Sequence, residues 1–134
     1  MEKPFSPSRE YLNNLSFIIL NAAISVHREM GPGLLEGVYQ QCMAKELQNR
    51  NLIVSSMVPV SLKYKGASLN KDYIIDMLVE NEIILELKAI DGLLPVHDAQ
   101  IITYLKLADK RLGFLINFNV TLLKLGFRRF VNNF

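Results

Sequence analysis

The chain has 134 residues, half of them apolar, and a formal net charge of +2. That length closes one hydrophobic core and is too short to suggest two, so a single α/β or α+β domain is expected over residues 9–134, behind a flexible leader over residues 1–8. So weak a positive balance excludes a protein that holds nucleic acid by charge alone, although it permits a phosphate-rich partner.

After the Pro- and Ser-rich leader, Leu12, Leu15, Ile19, Ala22, Ala23 and Val26 recur at helical spacing from Arg9 to Met30. Phe17, Ile18, Leu20 and Ile24 make the other side apolar too, which predicts a helix buried on most sides. Its run from Leu15 to Val26 is too short to span a bilayer, which takes about 20 residues, and polar positions break it as a signal-peptide core. The cytoplasm is therefore the expected compartment. Gly31-Pro32-Gly33 ends this helix, since proline lacks a backbone donor and glycine adopts sharp-turn dihedrals.

A second helix is expected from Leu35 to Arg50. It carries Cys42, the single cysteine, so no intramolecular disulfide can form; no Cys/His set has zinc-ligand spacing, and a reducing compartment fits. Short strands are read over Val54 to Pro59 and Val60 to Tyr64, with Lys65-Gly66 as a turn and Pro59 marking an edge or a bend. Asp72 to Val79 and Ile83 to Ala89 are apolar at nearly every position that is not a candidate functional one, as in central strands covered on both faces, and form a hairpin around Asn81. A helix from Asp98 to Ala108, a strand from Leu112 to Phe118 and a last strand from Leu125 to Val131 complete the series. The order is helix, helix, a run of strands, helix, strand, strand: a central mixed sheet flanked by helices.

The informative charges interrupt the hairpin. Alternation along a strand sends Glu86 and Lys88 to one face, with Cα atoms roughly 6.5 Å apart. A three-residue turn, Glu80 to Glu82, sets Val79 against Ile83 and Asp76 directly against Glu86, Cβ atoms roughly 5 Å apart. A two-residue turn would send Asp76 to the opposite face. The first register gathers two carboxylates in an apolar sheet, which is unfavourable unless a cation compensates them or one takes up a proton. Magnesium would accept such oxygens, polarise a phosphodiester and lower the pKa of a bound water, with Lys88 orienting that water or stabilising developing charge. On spacing alone, an ordinary solvated strand pair fits equally well.

Asp76, nine intervening residues and then Glu86-Leu87-Lys88 resemble the D…(D/E)-x-K signature of the PD-(D/E)XK nuclease superfamily. Gly33, Glu36 and Tyr39 match the G-x-x-E-x-x-Y element of the bacterial and archaeal GxxExxY family within it. The segments from His27 to Gly33, Ile74 to Ala89, Ala99 to Tyr104 and Gly113 to Phe118 look like this family in the right order. Gln100 and Tyr104 resemble the Q-x-x-x-Y element of RecB-like nucleases. One departure is visible: Ile75 stands where the superfamily's name has proline, a residue that contributes backbone shape rather than reactive atoms.

The resemblance implies a restriction-endonuclease-like core of helix, three or more strands, helix and strand behind an extra N-terminal helix, and a metal-dependent nuclease acting on nucleic acid, with DNA the foremost substrate and Mg2+ or Mn2+ as cofactor. It implies Asp76 and Glu86 as metal ligands and Lys88 as catalytic lysine. Glu36, in the first turn of the second helix, either stabilises the helix end or joins the cation. Tyr39, on the same face, is a supporting donor or a half-buried aromatic. Gln100 and Tyr104, four apart on one helix face, flank the site or form a polar helix surface. His27 reads as a hydrogen-bonded structural histidine and His97 as part of a helix start. Lys106, Lys110, Arg111, Lys124, Arg128 and Arg129 either line a phosphate-binding face or are simply solvated. The competing reading is a non-catalytic nucleic-acid-binding or assembly module that retains the nuclease fold; homodimerisation stays open.

Overall fold

A computed structural model describes residues 7–134. Most of the leader lies outside the described residues; of its last two positions, Ser8 caps the first helix by accepting from the Tyr11 N–H, and the Pro7 carbonyl accepts from Arg111. In chain order the elements are α1 (Arg9–Met30), α2 (Glu36–Asn49), β1 (Val54–Tyr64), β2 (Ala67–Val79), β3 (Ile83–Lys88), α3 (Pro95–Ala108), β4 (Leu112–Asn117), a 3-10 turn (Leu123–Gly126) and β5 (Phe127–Val131). The five strands form one sheet in the order β1-β2-β3-β4-β5. Only β3 and β4 run parallel, joined by α3 as the crossover that a parallel pair requires.

Helices α1 and α2 cover one face of the sheet. Leu12, Leu15, Ile19, Tyr39, Met43 and Leu47 pack there against Met77, Val79, Leu85, Leu87, Phe114 and Ile116. On the opposite face Leu105 of α3 meets Tyr73, Ile75, Leu78 and Ile84. A close approach makes this second layer possible: a Cβ on Gly113 would lie 3.2 Å from both Ile101 and Leu105 of α3.

Several boundaries differ from the sequence reading for identifiable reasons. The first helix is not buried on most sides: it buries one stripe, and Phe17 is 69% exposed because α2 and the sheet cover only one flank. The two short strands before Tyr64 are one strand, since Pro59 sits on the sheet's edge, where no neighbour needs its missing N–H. Strand β2 starts at Ala67 because Lys65 and Gly66, both at positive φ, close a tight hairpin with β1. Helix α3 starts at Pro95, a residue suited to a first helical turn, and His97 Nδ1 accepts from the Leu94 N–H there. Strand β5 begins at Phe127, after the 3-10 turn that takes up residues 123–126.

Candidate active site

The hairpin of β2 and β3 has the three-residue turn: Val79 pairs with Ile83 and Met77 with Leu85. Glu80 and Asn81 hold positive φ in that turn, and Glu80 ties it to the residue before β1: its N–H donates to the Ile53 carbonyl and its carboxylate accepts from the Ile53 N–H. One step beyond Met77 and Leu85 the same count sets Asp76 opposite Glu86, and there the backbone ladder stops. In its place the Asp76 N–H donates to Glu86 Oε2 at 2.9 Å, and the Leu87 N–H donates to Asp76 Oδ2 at 2.9 Å. Two carboxylates thus do the work of ladder carbonyls at the point where the strands part.

On the other side of β2 the chain is irregular at the same level. Ser56 pairs with Met77 and Val58 with Ile75, while Met57, between them, holds φ 54. Ile75 and Met77, two residues apart, consequently join different packing clusters, Ile75 toward α3 and Met77 toward α1 and α2. Such breaks in alternation re-aim a side chain, and Asp76 is the residue at the break.

The electrostatics follow from this crowding. Glu86 is only 4% exposed. Burial, reinforced by the charge of Asp76, pushes its carboxyl up to about 8, against the opposing pull of the Asp76 N–H and Lys88. Burial also raises Asp76, partly offset by the Leu87 N–H, by Lys88 and by the Gln40 side chain. Glu36, half-buried at the start of α2, is raised by burial and by Asp76 while Lys88 lowers it. Three carboxylates and one ammonium therefore share a field, and the acids are held above their ordinary range.

From α3, Tyr104 stacks on Tyr73 with ring centroids 4.1 Å apart, and Gln100 Nε2 donates to the Tyr104 hydroxyl at 2.8 Å. Burial raises the Tyr104 phenol, with Glu86 the next cause. An open cleft of about 490 Å³ runs between Lys88 and this helix, lined also by His97, Gln100, Thr103 and Tyr104. Tyr39 does not reach the carboxylates. It is fully buried, stacked on Phe118 at 4.6 Å, and its hydroxyl donates to the Gly31 carbonyl and accepts from the Leu34 N–H. It fixes the loop that leads into Glu36.

Three nearby residues escaped the sequence reading. Gln40 lies one turn after Glu36, a spacing that was legible. Tyr73 is pushed up to about 12 by burial first and by Tyr104 and Glu86 after it, and it shares its helix partner with the site. Asn117, buried beside Lys88 in the parallel register, holds the backbone of Ile90 through both ends of its amide. A lone amide in the apolar run from Leu112 to Phe118 was its signal. The remaining basic residues do not form one free face: Arg128 pairs with Asp98, Arg129 donates to Asn13, Arg111 holds the Pro7 and Phe134 carbonyls, and Lys110 the Asn81 carbonyl. His27 bonds the Val120 carbonyl at 2.8 Å.

Among the described residues, no three His, Cys, Asp or Glu side chains converge as a ready-made metal cage. The donor chemistry of Asp76 and Glu86 nevertheless suits a hard divalent cation: two oxygen ligands in a buried, mutually repelling pair, whose charged forms such an ion would stabilise.

A mixed sheet flanked by helices, with an acidic pair and a lysine on its central hairpin, defines a restriction-endonuclease-like α/β protein. The model of the PD-(D/E)XK nuclease superfamily matches residues 13–130, and the chain belongs to that superfamily. Neither a curated protein nor a solved structure matches it significantly. Nucleases of this superfamily generally use divalent metals such as Mg2+.

Proposed function

We propose that the protein is a divalent-metal-dependent nuclease that hydrolyses phosphodiester bonds of nucleic acid, DNA foremost, and that it belongs to the GxxExxY branch of its superfamily. The observation that carries this reading is the opposition of Asp76 and Glu86 at the opening of the β2–β3 ladder, two residues from Lys88.

In this proposal Asp76 and Glu86 would hold Mg2+ or Mn2+, with Glu36 assisting from α2. The ion would supply polarisation of the phosphodiester and a water of lowered pKa. Lys88, on the cleft side of β3, orients the attacking water and offsets negative charge on the phosphate. Gln40 holds the Asp76 carboxylate. Gln100 orients the Tyr104 hydroxyl, and that pair positions substrate along the cleft; Tyr39 supports the site through the Gly31–Leu34 loop.

Incubation of the pure chain with plasmid and with single-stranded DNA in magnesium or manganese tests the proposal. Wild type should cut, while Glu86→Ala and Lys88→Ala each lose about 100-fold or more in rate. Equal rates for the three proteins would remove the catalytic assignment.

One observation favours a second reading, a binding or assembly module that retains the fold, alone or as a homodimer. Asp76 and Glu86 already have partners in backbone N–H groups, so the hairpin holds together without a cation. A module of that kind has no use for metal.

A further inference from the structure

The β1–β2 hairpin outgrows the sheet. Strand β3 reaches β2 only at Met77–Val79, so from Ile75 back to Ala67 strand β2 has β1 as its one strand partner among the described residues. The near part of this ribbon, with Val58, Val60, Tyr73 and Ile75, packs toward α3. Every residue from Lys63 through Asp72 is exposed. A two-stranded ribbon closed by the Lys65–Gly66 turn therefore presents both of its strands to solvent.

Its charge is one-sided: Lys63, Lys65 and Lys71 are opposed within it only by Asp72. Among the described residues, neither the Lys63 nor the Lys71 ammonium has a hydrogen-bond or ion-pair partner, whereas the Arg50, Arg111 and Arg128 side chains are all engaged within the fold. The Lys65 ammonium lies 5.5 Å from the Tyr64 ring centroid, and that ring is 63% exposed. The ribbon also belongs to the strand that carries Asp76. Strand β2 bulges between Asp72 and Ser68, so the reach is counted along β1: at about 3.3 Å per residue, Lys71 lies roughly 16 Å from Asp76 and the hairpin turn roughly 25 Å.

We propose that this ribbon is a duplex-DNA-binding element that enters the major groove about 5–7 base pairs from the bond presented to Asp76 and Glu86, at roughly 3.4 Å per pair. The placement of the bond rests on the nuclease reading; the binding does not. A B-form major groove about 12 Å wide admits a two-stranded ribbon, and phosphates on both rims meet lysines on both strands. The major groove of duplex RNA is too deep and narrow for it, and a single strand offers no groove. The ordinary role of lysines on a bare strand edge is to prevent pairing with another chain, so the test includes that outcome.

The full chain, kept free of divalent ions with EDTA, is titrated by fluorescence anisotropy against a 24-base-pair DNA duplex, its single strand and the matching RNA duplex. DNA duplex should bind tightest. The variant Lys63→Gln/Lys65→Gln/Lys71→Gln should lose about 10- to 100-fold in affinity and about 2–3 in the slope of log K against log salt. Its thermal unfolding should match wild type, since all three side chains are solvent-exposed, and the triple Lys→Arg variant should bind as wild type does.

Unchanged duplex affinity in the Gln variant, a preference for single strand or RNA duplex, or an Arg variant as weak as the Gln variant overturns the inference. So does self-association of the Gln variant in sedimentation with DNA affinity intact, which assigns the lysines to edge protection. The two readings fail separately: absent cleavage with ribbon-dependent duplex affinity ends the nuclease reading alone, and cleavage without that dependence ends the ribbon alone.

Discussion

Glu86 sets the behaviour expected of the site at the scale of single residues. Its carboxyl is raised to about 8 in the fold, chiefly by burial and then by Asp76, against an ordinary value near 4.5. The folded protein therefore holds a proton that the unfolded chain releases between those two values. Stability is greatest below the unfolded pKa, falls as pH rises through the window from about 4.5 to about 8, and levels off above it. Metal-free protein should show that decline in thermal melts, at no more than about 1.4 kcal/mol per pH unit from this group. Glu86→Gln, which cannot ionise, should flatten it; a decline of equal steepness in the variant would move the cause to Asp76 or Glu36. At neutral pH a divalent ion bound by the pair must displace that proton, so metal affinity should rise toward pH 8.

Between elements, the decisive contacts are close backbone approaches that only glycine allows. A Cβ on Gly126 would fall 2.1 Å from the Asn117 carbonyl oxygen, backbone that cannot yield without moving β4. Asn117 in turn secures Ile90, two residues beyond Lys88. Gly126→Ala should cost about 1–3 kcal/mol or more and lower the melting temperature. Gly37, in the first turn of α2, has nothing within 4 Å of its missing Cβ, so Gly37→Ala should leave the fold as stable or raise it by about 0.5 kcal/mol. The pair of variants, followed by denaturant unfolding, distinguishes a packing requirement from a general preference for glycine. Element boundaries were least legible where such contacts decide: nothing local says that residues 123–126 coil into a 3-10 turn before β5 pairs with β4.

For the whole molecule, a cation bound at the hairpin, as proposed, would link layers that hydrogen bonds join only in part. Asp76 and Glu86 come from the sheet and Glu36 from α2, so binding of all three would fix one helix layer against the sheet. Manganese should then raise the melting temperature with concentration, stabilising the fold by about 2.7 kcal/mol at 100 times its dissociation constant, and Asp76→Asn should abolish the effect. No shift in either protein would favour the binding-module reading. No described helix is long and apolar enough to cross a membrane.

The sequence alone placed the helical and strand segments, though not their bounds, and offered the three-residue-turn register that sets Asp76 against Glu86. Periodicity and a three-residue turn are local properties, and a strand's two-residue repeat carries them to the site. Tertiary structure alone decided the rest: the capture of backbone N–H groups by both carboxylates, the face switch at Met57 and Asp76, and the meeting of Gln40, Tyr73 and Tyr104 with the acids. Those depend on how twisted strands and two helix layers close upon one another, a matter of non-local packing that no short stretch of sequence encodes.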